Sequence, residues 1–423
     1  MSPARATAIL FAIAVLAALA VALVSRAPAE VREAKPGPEA TDPELGPRFT
    51  DEQIARHGTY RRAAYISLAL STVLELIALA LLARTLMPSL VRAIERVPGG
   101  WPMRAVLAVC FLVLVTTVVA LPLSFVRGFV MDHAWGISTR SIGGWVSDAA
   151  RSLGVALVMS SIAAVAFFGL TRAFPRTWWL WGWAIFSALT IALTFLFPIV
   201  IAPLFNKFTP VQDDTLRARV VALAREAGVP LDDVLVADAS KRTTAENAYV
   251  AGIGATKRMV LYDTLIEGGG PDETAYVAAH ELGHEVHDHI WKSTGVACLG
   301  LLVGFAALAL YSQRADAWAW THATGITDVR VLPGLALVVA VAGLLTLPLQ
   351  SGLSRHFERE ADTVAIELTG DPDTAVEVFR RLAFSNLADL RPPRVAEILL
   401  FTHPPIPERI ERALSVAERA ATP

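Results

Sequence analysis

The sequence predicts a mainly α-helical membrane protein, with a bundle of seven spanning helices and a small α+β domain. Composition is the first indication, because 54% of the 423 residues are hydrophobic and only 18% are charged, whereas soluble domains carry about 25% charged residues. The second is a series of apolar stretches of the length that a bilayer requires, about 20 helical residues. The third is a polar segment with short β-rich runs between the fifth and sixth stretches.

Charge and cysteine content argue against two classes of protein. The formal net charge is -2, which disfavours nucleic acid as the main partner because binding to phosphates requires a basic face. The two cysteines, Cys110 and Cys298, both lie within apolar runs. They therefore predict neither a disulfide framework nor a thiolate metal site.

Seven apolar stretches make up the predicted membrane region. The first has two interpretations, because Arg5, the apolar run and Ala27-Pro28-Ala29 resemble a secretory signal with its cleavage site. Its length of about 19 residues exceeds a signal core of about 7–15 residues and favours a retained span. The stretches cover approximately residues 6–24, 64–83, 104–124, 152–171, 178–202, 293–311 and 331–350.

The polar segments divide the chain into four predicted regions. Five spans (residues 1–202) precede a soluble insert (203–291), and two further spans (292–350) precede a C-terminal helical part (351–423). Residues 25–62 are rich in proline and charge. We expect them to form an irregular loop or a short amphipathic helix.

The soluble insert predicts a helix followed by a small sheet. An amphipathic helix extends from Asp213 to Ala227 and ends at Gly228. Three β-rich runs separated by turn residues predict the sheet. These runs cover residues 234–236, 248–253 and 258–262.

Further helices follow glycine and proline breaks. A Gly-Gly-Gly-Pro sequence at 268–271 precedes a helix predicted from about 272 to 290. After the last span, helices are predicted with breaks at 370–372, a Gly-Asp-Pro sequence, and at Pro404-Pro405.

The strongest chemical signal lies on the helix predicted over 272–290. His280 and His284 are four residues apart, so both imidazoles share one helical face and could bind a single tetrahedral zinc ion. Glu281 lies beside them and could take a proton from an attacking water. The apolar residues before this motif suit a buried metal-binding helix.

A catalytic zinc needs a third protein ligand and one open position. Glu358 and Asp362 follow the seventh stretch and are four residues apart on a predicted helix. One carboxylate could bind zinc while the other orients a ligand imidazole, although such a pair alone is more typical of a solvated helical face. His287 and His289 point away from the zinc face of a continuous helix. We expect them at an interface or in outer hydrogen bonds, not as ligands, although such residues are more often ordinary solvated helix positions.

These features together resemble the type I CAAX prenyl proteases, multi-span zinc endopeptidases of the gluzincin kind. The resemblance covers nearly the whole chain, and a soluble insert between the fifth and sixth of seven spans is similar to the family's plan. The matching segments beyond the zinc motif are Pro203 to Phe208, Asn247-Ala248-Tyr249, Lys257 to Asp263, the set Arg355, Glu358, Ala361 and Asp362, and Thr402-His403-Pro404 with Arg409.

The resemblance implies roles for the acidic and basic residues of the C-terminal part. Glu358 is then the third zinc ligand, and Asp362 supports the metal site together with Arg355 and Arg409. His403 would donate a hydrogen bond to the oxyanion that forms when water adds to the scissile carbonyl, a contact worth several kcal/mol. From the residues alone, His403 could equally be a turn residue before two prolines.

The resemblance also implies where a substrate binds. Asn247, Ala248 and Tyr249 would form the edge strand with which an extended peptide pairs through backbone hydrogen bonds, although Asn247 could merely cap a loop. Members of the family enclose a large chamber in the bundle, with the zinc site near its cytosolic end. The implied function is therefore a membrane-embedded zinc metalloendopeptidase with one Zn²⁺ per chain.

The expected partners are peptide or protein substrates, including lipid-modified ones, and membrane lipids. An Ala- and Arg-rich composition indicates a bacterial source and hence the plasma membrane. Seven spans place the zinc motif on the same side as the basic segment 25–62, which favours a cytoplasmic site. Arg84, Arg92, Arg96 and Arg104 on the other side weaken that charge argument, so the orientation depends mainly on the resemblance.

Two other functional classes fit the sequence less well than a protease. A membrane scaffold with a structural zinc site would need four protein ligands, whereas only three plausible ligands occur, and Glu281 would have no structural purpose. A transporter would be expected to show inverted repeats and paired broken helices, and the sequence shows neither.

Overall fold

The computed structural model describes residues 3–27, 29–32 and 49–421, and these are mainly helical, as predicted. Helices of the N-terminal half are α1 (Pro3–Val24), α2 (Ala29–Arg32), α3 (Asp51–Leu81), α4 (Met87–Ile94), α5 (Gly100–Phe125), α6 (Asp132–Ala134), α7 (Ile142–Ala173) and α8 (Trp178–Leu196). Those of the C-terminal half are α9 (Asp214–Glu226), α10 (Asp263–Gly268), α11 (Pro271–Val286), α12 (His289–Ser312), α13 (Leu332–Thr369), α14 (Pro372–Ser385), α15 (Arg394–Leu400) and α16 (Ile406–Ala421).

Six helical stretches of the described chain are long and apolar enough to cross a membrane. The apolar helix α1 packs against α3 and α5 through Leu10, Leu74 and Val119, so the predicted bundle of about seven spans is confirmed. Large apolar side chains such as Val303 and Leu345 are exposed on the outer surface, as lipid contact requires. The six stretches are Asp51–Ile94, Gly100–Ala134, Ile142–Ala173, Trp178–Leu204, His289–Ser312 and Val329–Thr369.

Helix α3 begins earlier than the hydropathy pattern predicts. The Thr50 hydroxyl accepts a hydrogen bond from the Gln53 N–H, and the Gln53 side chain accepts one from the Thr50 N–H. This capping box starts the helix at Asp51. The expectation of a loop or short separate helix is therefore wrong for residues 51–62, while residues 33–48 lie outside the described residues.

The predicted small sheet is confirmed and has four strands in the order β1-β2-β4-β3. β2 and β4 are parallel, whereas β1 and β3 pair antiparallel with them. Strand β3 lies at one edge, with Ala248 opposite Leu261. The sequence did not predict β1, which has three residues and ends in a proline. The strands are β1 (Phe208–Pro210), β2 (Asp233–Ala237), β3 (Ala248–Ala251) and β4 (Arg258–Tyr262).

Helix α11 lies at the centre of the soluble part. It packs against α9, α13, α14 and the edge strand β3. Tyr276, Ala279 and Leu282 are buried in the core that it shares with the sheet. A helix enclosed on so many sides holds its polar side chains in fixed positions.

The helix predicted over 272–290 is in fact two helices, so this prediction is wrong. α11 ends at Val286, and α12 starts at His289. Between them Asp288 has φ 53° and ψ 35°, a left-handed conformation that aspartate tolerates better than most residues. After this turn, His289 lies next to His284.

Candidate active site

Two histidines of α11 and one glutamate of α13 converge at one point. Nε2 of His280 lies 3.3 Å from Oε2 of Glu358, and Nε2 of His284 lies 3.5 Å from Oε1. One donor atom from each side chain lies within 4.8 Å of the others. Two imidazoles and a carboxylate in this arrangement form a typical three-residue site for a catalytic metal.

A glycine allows α11 and α13 to come this close. A Cβ atom on Gly283 would lie 2.8 Å from the Cα of Ala361 and 2.9 Å from its carbonyl oxygen. These are backbone atoms, which cannot move aside without shifting α13. Gly283 therefore sets the distance between the two histidines and Glu358.

Buried charges hold His280 on its inner side. Its Nδ1 lies 2.9 Å from Oδ1 of Asp362. Arg409 of α16 donates two hydrogen bonds to the Asp362 carboxylate, at 2.9 and 2.6 Å. Burial opposes the charge of Arg409, but the adjacent carboxylate raises its pKa above the usual value. The structure thus places Asp362 and Arg409 behind a predicted ligand.

Glu281 lines a cavity of about 880 Å³ together with His280, one of the three donors. Burial raises the pKa of this carboxyl group from 4.5 to about 7. A carboxylate with a pKa near neutrality can both accept and return a proton, which a general base in hydrolysis must do.

His403 lies on the other side of the predicted third ligand. Its Nε2 is 3.2 Å from Oε1 of Glu358, and its Nδ1 is 2.9 Å from the Thr402 hydroxyl. Arg355, by contrast, does not contact the other predicted site residues. It donates to the backbone carbonyls of Glu397 and Phe401, each at 2.7 Å, and so holds the segment that precedes His403.

The edge strand borders the same cavity. Asn247 and Ala248 line it, whereas Tyr249 is not among the lining residues. One residue earlier, the Glu246 N–H donates to the Asn386 side chain at 3.1 Å, and its carbonyl accepts from that side chain at 3.3 Å. The backbone edge is therefore occupied at Glu246.

Two further residues contact the outer side of the site. Nδ1 of His284 lies 2.9 Å from Nδ1 of His289, and Nε2 of His289 lies 3.0 Å from Oε2 of Glu360. The sequence placed His289 in outer hydrogen bonds or an interface but on the wrong face, because it predicted a continuous helix. Neither Glu360 nor Asn386 was singled out, and no short motif marks them.

Comparison with sequence families shows what the chain is similar to. The model of peptidase family M48 matches residues 210–417. A second model, described as the CAAX prenyl protease N-terminal region with five membrane helices, matches residues 32–207. The two matches together cover most of the chain.

Individual relatives agree with these matches. The chain is 33% identical over 302 residues to the "uncharacterized metalloprotease YhfN" of Bacillus subtilis (strain 168), with 71% of each protein covered. It is 30% identical over 295 residues to a CAAX prenyl protease 1 homolog of Oryza sativa subsp. japonica, with 69% of this chain and 68% of that protein covered.

A solved structure has the same fold. The crystal structure of S. mikatae Ste24p matches with a TM-score of 0.76 at 24% sequence identity, covering 98% of this chain and 99% of that one. The likeness extends through both the helical bundle and the soluble part. The chain therefore belongs to peptidase family M48 and is a membrane metalloprotease of the CAAX prenyl protease type.

Proposed function

We propose that the chain is a zinc-dependent endopeptidase in which His280, His284 and Glu358 hold one zinc ion and Glu281 is the general base. The observation that carries the proposal is the convergence of the three donors within 4.8 Å, next to a cavity that His280 and Glu281 line. The Oε2 atom of Glu358 is buried and makes no hydrogen bond among the described residues. A cation shared with His280 would satisfy it.

The residues around the donors support a hydrolytic mechanism. A zinc ion bound there would supply Lewis acidity that polarises the scissile carbonyl and lowers the pKa of water. Glu281 takes a proton from the attacking water and later delivers it to the leaving amine. His403, beside Glu358, donates a hydrogen bond to the developing oxyanion. Asp362 and Arg409 keep His280 in place.

The substrate in this proposal is an extended peptide. Its backbone pairs with the free edge of β3, which borders the cavity at Ala248. Asn247 lines the cavity beside it, and its carbonyl already accepts a hydrogen bond from the Tyr262 N–H. Pairing ends at Glu246, because Asn386 already occupies the backbone groups there. A lipid-modified peptide is included in the proposed substrate class because CAAX prenyl protease 1 homologues are among the relatives.

We further propose that the protein lies in a bacterial plasma membrane with the zinc site towards the cytoplasm. In a seven-span topology, Arg56, Arg61 and Arg62, which precede the second span, lie on the same side as the site. Labelling of single introduced cysteines in intact cells, near residue 290 and near residue 325, would test this orientation. Labelling near 290 by a membrane-impermeant reagent would contradict it.

The principal test is a cleavage assay on purified protein in detergent. Wild type and Glu281→Gln are compared on a quenched peptide library, with and without a prenyl-cysteine peptide, and their metal content is measured. We expect about one zinc per chain in both proteins, and turnover lower by about 10²–10⁴-fold in the variant.

A second variant separates metal binding from the proton transfer. His280→Ala should lose both zinc and activity, whereas Glu281→Gln should lose activity alone. Stoichiometric zinc in His280→Ala would contradict the assigned ligand, and wild-type turnover in Glu281→Gln would contradict the assigned base. Cleavage only of the prenylated peptide would define the substrate class.

A further inference from the structure

The second ring nitrogen of His284 has an unusual partner. Nδ1 of this residue faces not a carboxylate or a carbonyl but Nδ1 of another imidazole, His289, at 2.9 Å. The other nitrogen of His289 lies 3.0 Å from a carboxylate oxygen of Glu360. The three side chains form a continuous row that leads away from the site.

The tautomers in this row follow from the direction of the donors. If His284 binds a metal through Nε2, its hydrogen is on Nδ1 and must be donated to His289. Nδ1 of His289 is then the acceptor, so its own hydrogen is on Nε2, where the Glu360 carboxylate accepts it. Both ring nitrogens of His289 are then engaged, Nδ1 as an acceptor and Nε2 as a donor. His289 is therefore not available as an additional metal ligand.

The fold holds His289 in this position. The left-handed turn at Asp288 makes His289 the first residue of α12 and directs it towards His284. Its ring stacks on Phe357 of α13, with centroids 4.2 Å apart and an interplanar angle of 16°. The residue is 3% exposed. An imidazole so enclosed loses little further freedom when it accepts a hydrogen bond.

We propose that His289 is a positioning residue which, together with Glu360, holds the tautomer and ring orientation of His284 for metal binding. This inference rests on the proposed zinc function, since it assigns Nε2 of His284 to the metal. Outer partners of ligand histidines contribute to affinity because they fix the ring and increase its basicity. Here the outer partner is the neutral imidazole of His289, which in turn donates a hydrogen bond to the Glu360 carboxylate.

The test measures zinc affinity by competition with a chelator in detergent, using two substitutions of the same residue. His289→Phe keeps a ring against Phe357 but removes both hydrogen bonds. We expect its zinc dissociation constant to rise by about 10- to 100-fold. In His289→Gln the amide can accept from His284 and donate to Glu360, so its affinity should stay within about threefold of wild type.

Two further variants control for folding and for the substitution itself. Glu360→Ala alters a side chain that is 30% exposed, so the protein should fold, and we expect an intermediate loss of affinity. His133→Phe, at an exposed helical position outside the cavity at the site, should bind zinc like wild type. Unchanged affinity in both His289→Phe and Glu360→Ala would overturn the proposal, as would an equal loss in His289→Gln and His289→Phe.

Failure of this inference can be told apart from failure of the proposed function. Suppose that wild type cleaves peptide, Glu281→Gln does not, and all His289 variants bind zinc alike. The protease function is then supported, and the positioning role of His289 is refuted. If the His289 variants differ in zinc affinity as expected but wild type cleaves no peptide, the positioning role of His289 is supported in a metal site without protease activity.

Discussion

The two histidines of α11 lie one turn apart but in different surroundings. On the inner side, His280 contacts Asp362, which in turn pairs with Arg409, and all three residues are less than a tenth exposed. On the outer side, the His284 ring is 26% exposed and the Glu360 carboxylate 30%. When Nε2 binds a metal, each ring needs a hydrogen-bond acceptor for its Nδ1–H. For His280 the acceptor is Asp362, which is paired with Arg409, whereas for His284 it is the neutral ring of His289.

The difference follows from access to water. A carboxylate without nearby water is costly unless a cation pairs with it, which explains why Asp362 lies against Arg409. Glu360 retains contact with solvent, so it can remain ionised without a buried cation. The inner side should therefore depend strongly on each of its charges, and the outer side only weakly.

Removal of the inner carboxylate should have the largest effect. Asp362→Ala leaves the buried charge of Arg409 unpaired, which typically costs about 3–5 kcal/mol, and it removes the acceptor for His280. We expect a fall of several degrees in the thermal midpoint of the metal-free protein, together with loss of bound metal. Glu360→Ala is the matched change on the outer side, and its midpoint should move little. Equal shifts in the two variants would show that the two sides do not differ as described.

A change at the contact between α11 and α13 should disturb the surroundings of both His280 and His284. Gly283→Ala places a methyl group 2.8 Å from the backbone of Ala361, and such overpacking costs about 1–3 kcal/mol. Gly295→Ala in α12 is the control, since nothing lies within 4 Å of its added Cβ atom. The first variant should melt at a lower temperature and bind metal less tightly, whereas the second should equal or exceed wild type. A normal midpoint and metal affinity in Gly283→Ala would contradict the tight contact.

The smallest effect concerns a carboxyl group in the cavity wall. Burial raises the pKa of Glu246 from 4.5 to about 7, despite the nearby Arg381 guanidinium. The folded protein therefore binds more protons at this group than the unfolded chain, so its contribution to stability falls as pH rises from 4.5 to 7. Glu246→Gln should reduce the fall in thermal midpoint between pH 5 and pH 8. Identical pH profiles for the two proteins would contradict the raised pKa.

The features predicted correctly from the sequence are those that depend on local patterns. Hydropathy over some twenty residues marks a span, and two histidines at i and i+4 share a helical face wherever the helix lies. Glycine and proline breaks after α13 were confirmed, since Gly370 adopts φ 62° and Pro372 begins α14.

The features that were missed depend on contacts between distant parts of the chain. The pattern before Asp288 continues smoothly as a helix, and only packing of α12 against α8 and α11 shows why the chain turns there. Asn386 contacts Glu246, which is 140 residues earlier. Arg355 matched a family segment, but its contacts with two carbonyls of the α15 region depend on how that segment folds back.

Helix α13 determines the distance between the predicted end of the seventh span and Glu358 of the site. It runs without interruption for 38 residues, from Leu332 to Thr369. Glu358 lies eight residues beyond the predicted end of the seventh span, or about 12 Å at 1.5 Å per residue. The helix contains Pro348, and no further proline separates the predicted end of the span from Glu358, so helical geometry sets this distance. For the proposed peptidase, the scissile bond must therefore come to a level about 12 Å beyond the predicted apolar span. A peptide bond held farther away in a folded domain would stay out of reach until that domain unfolds.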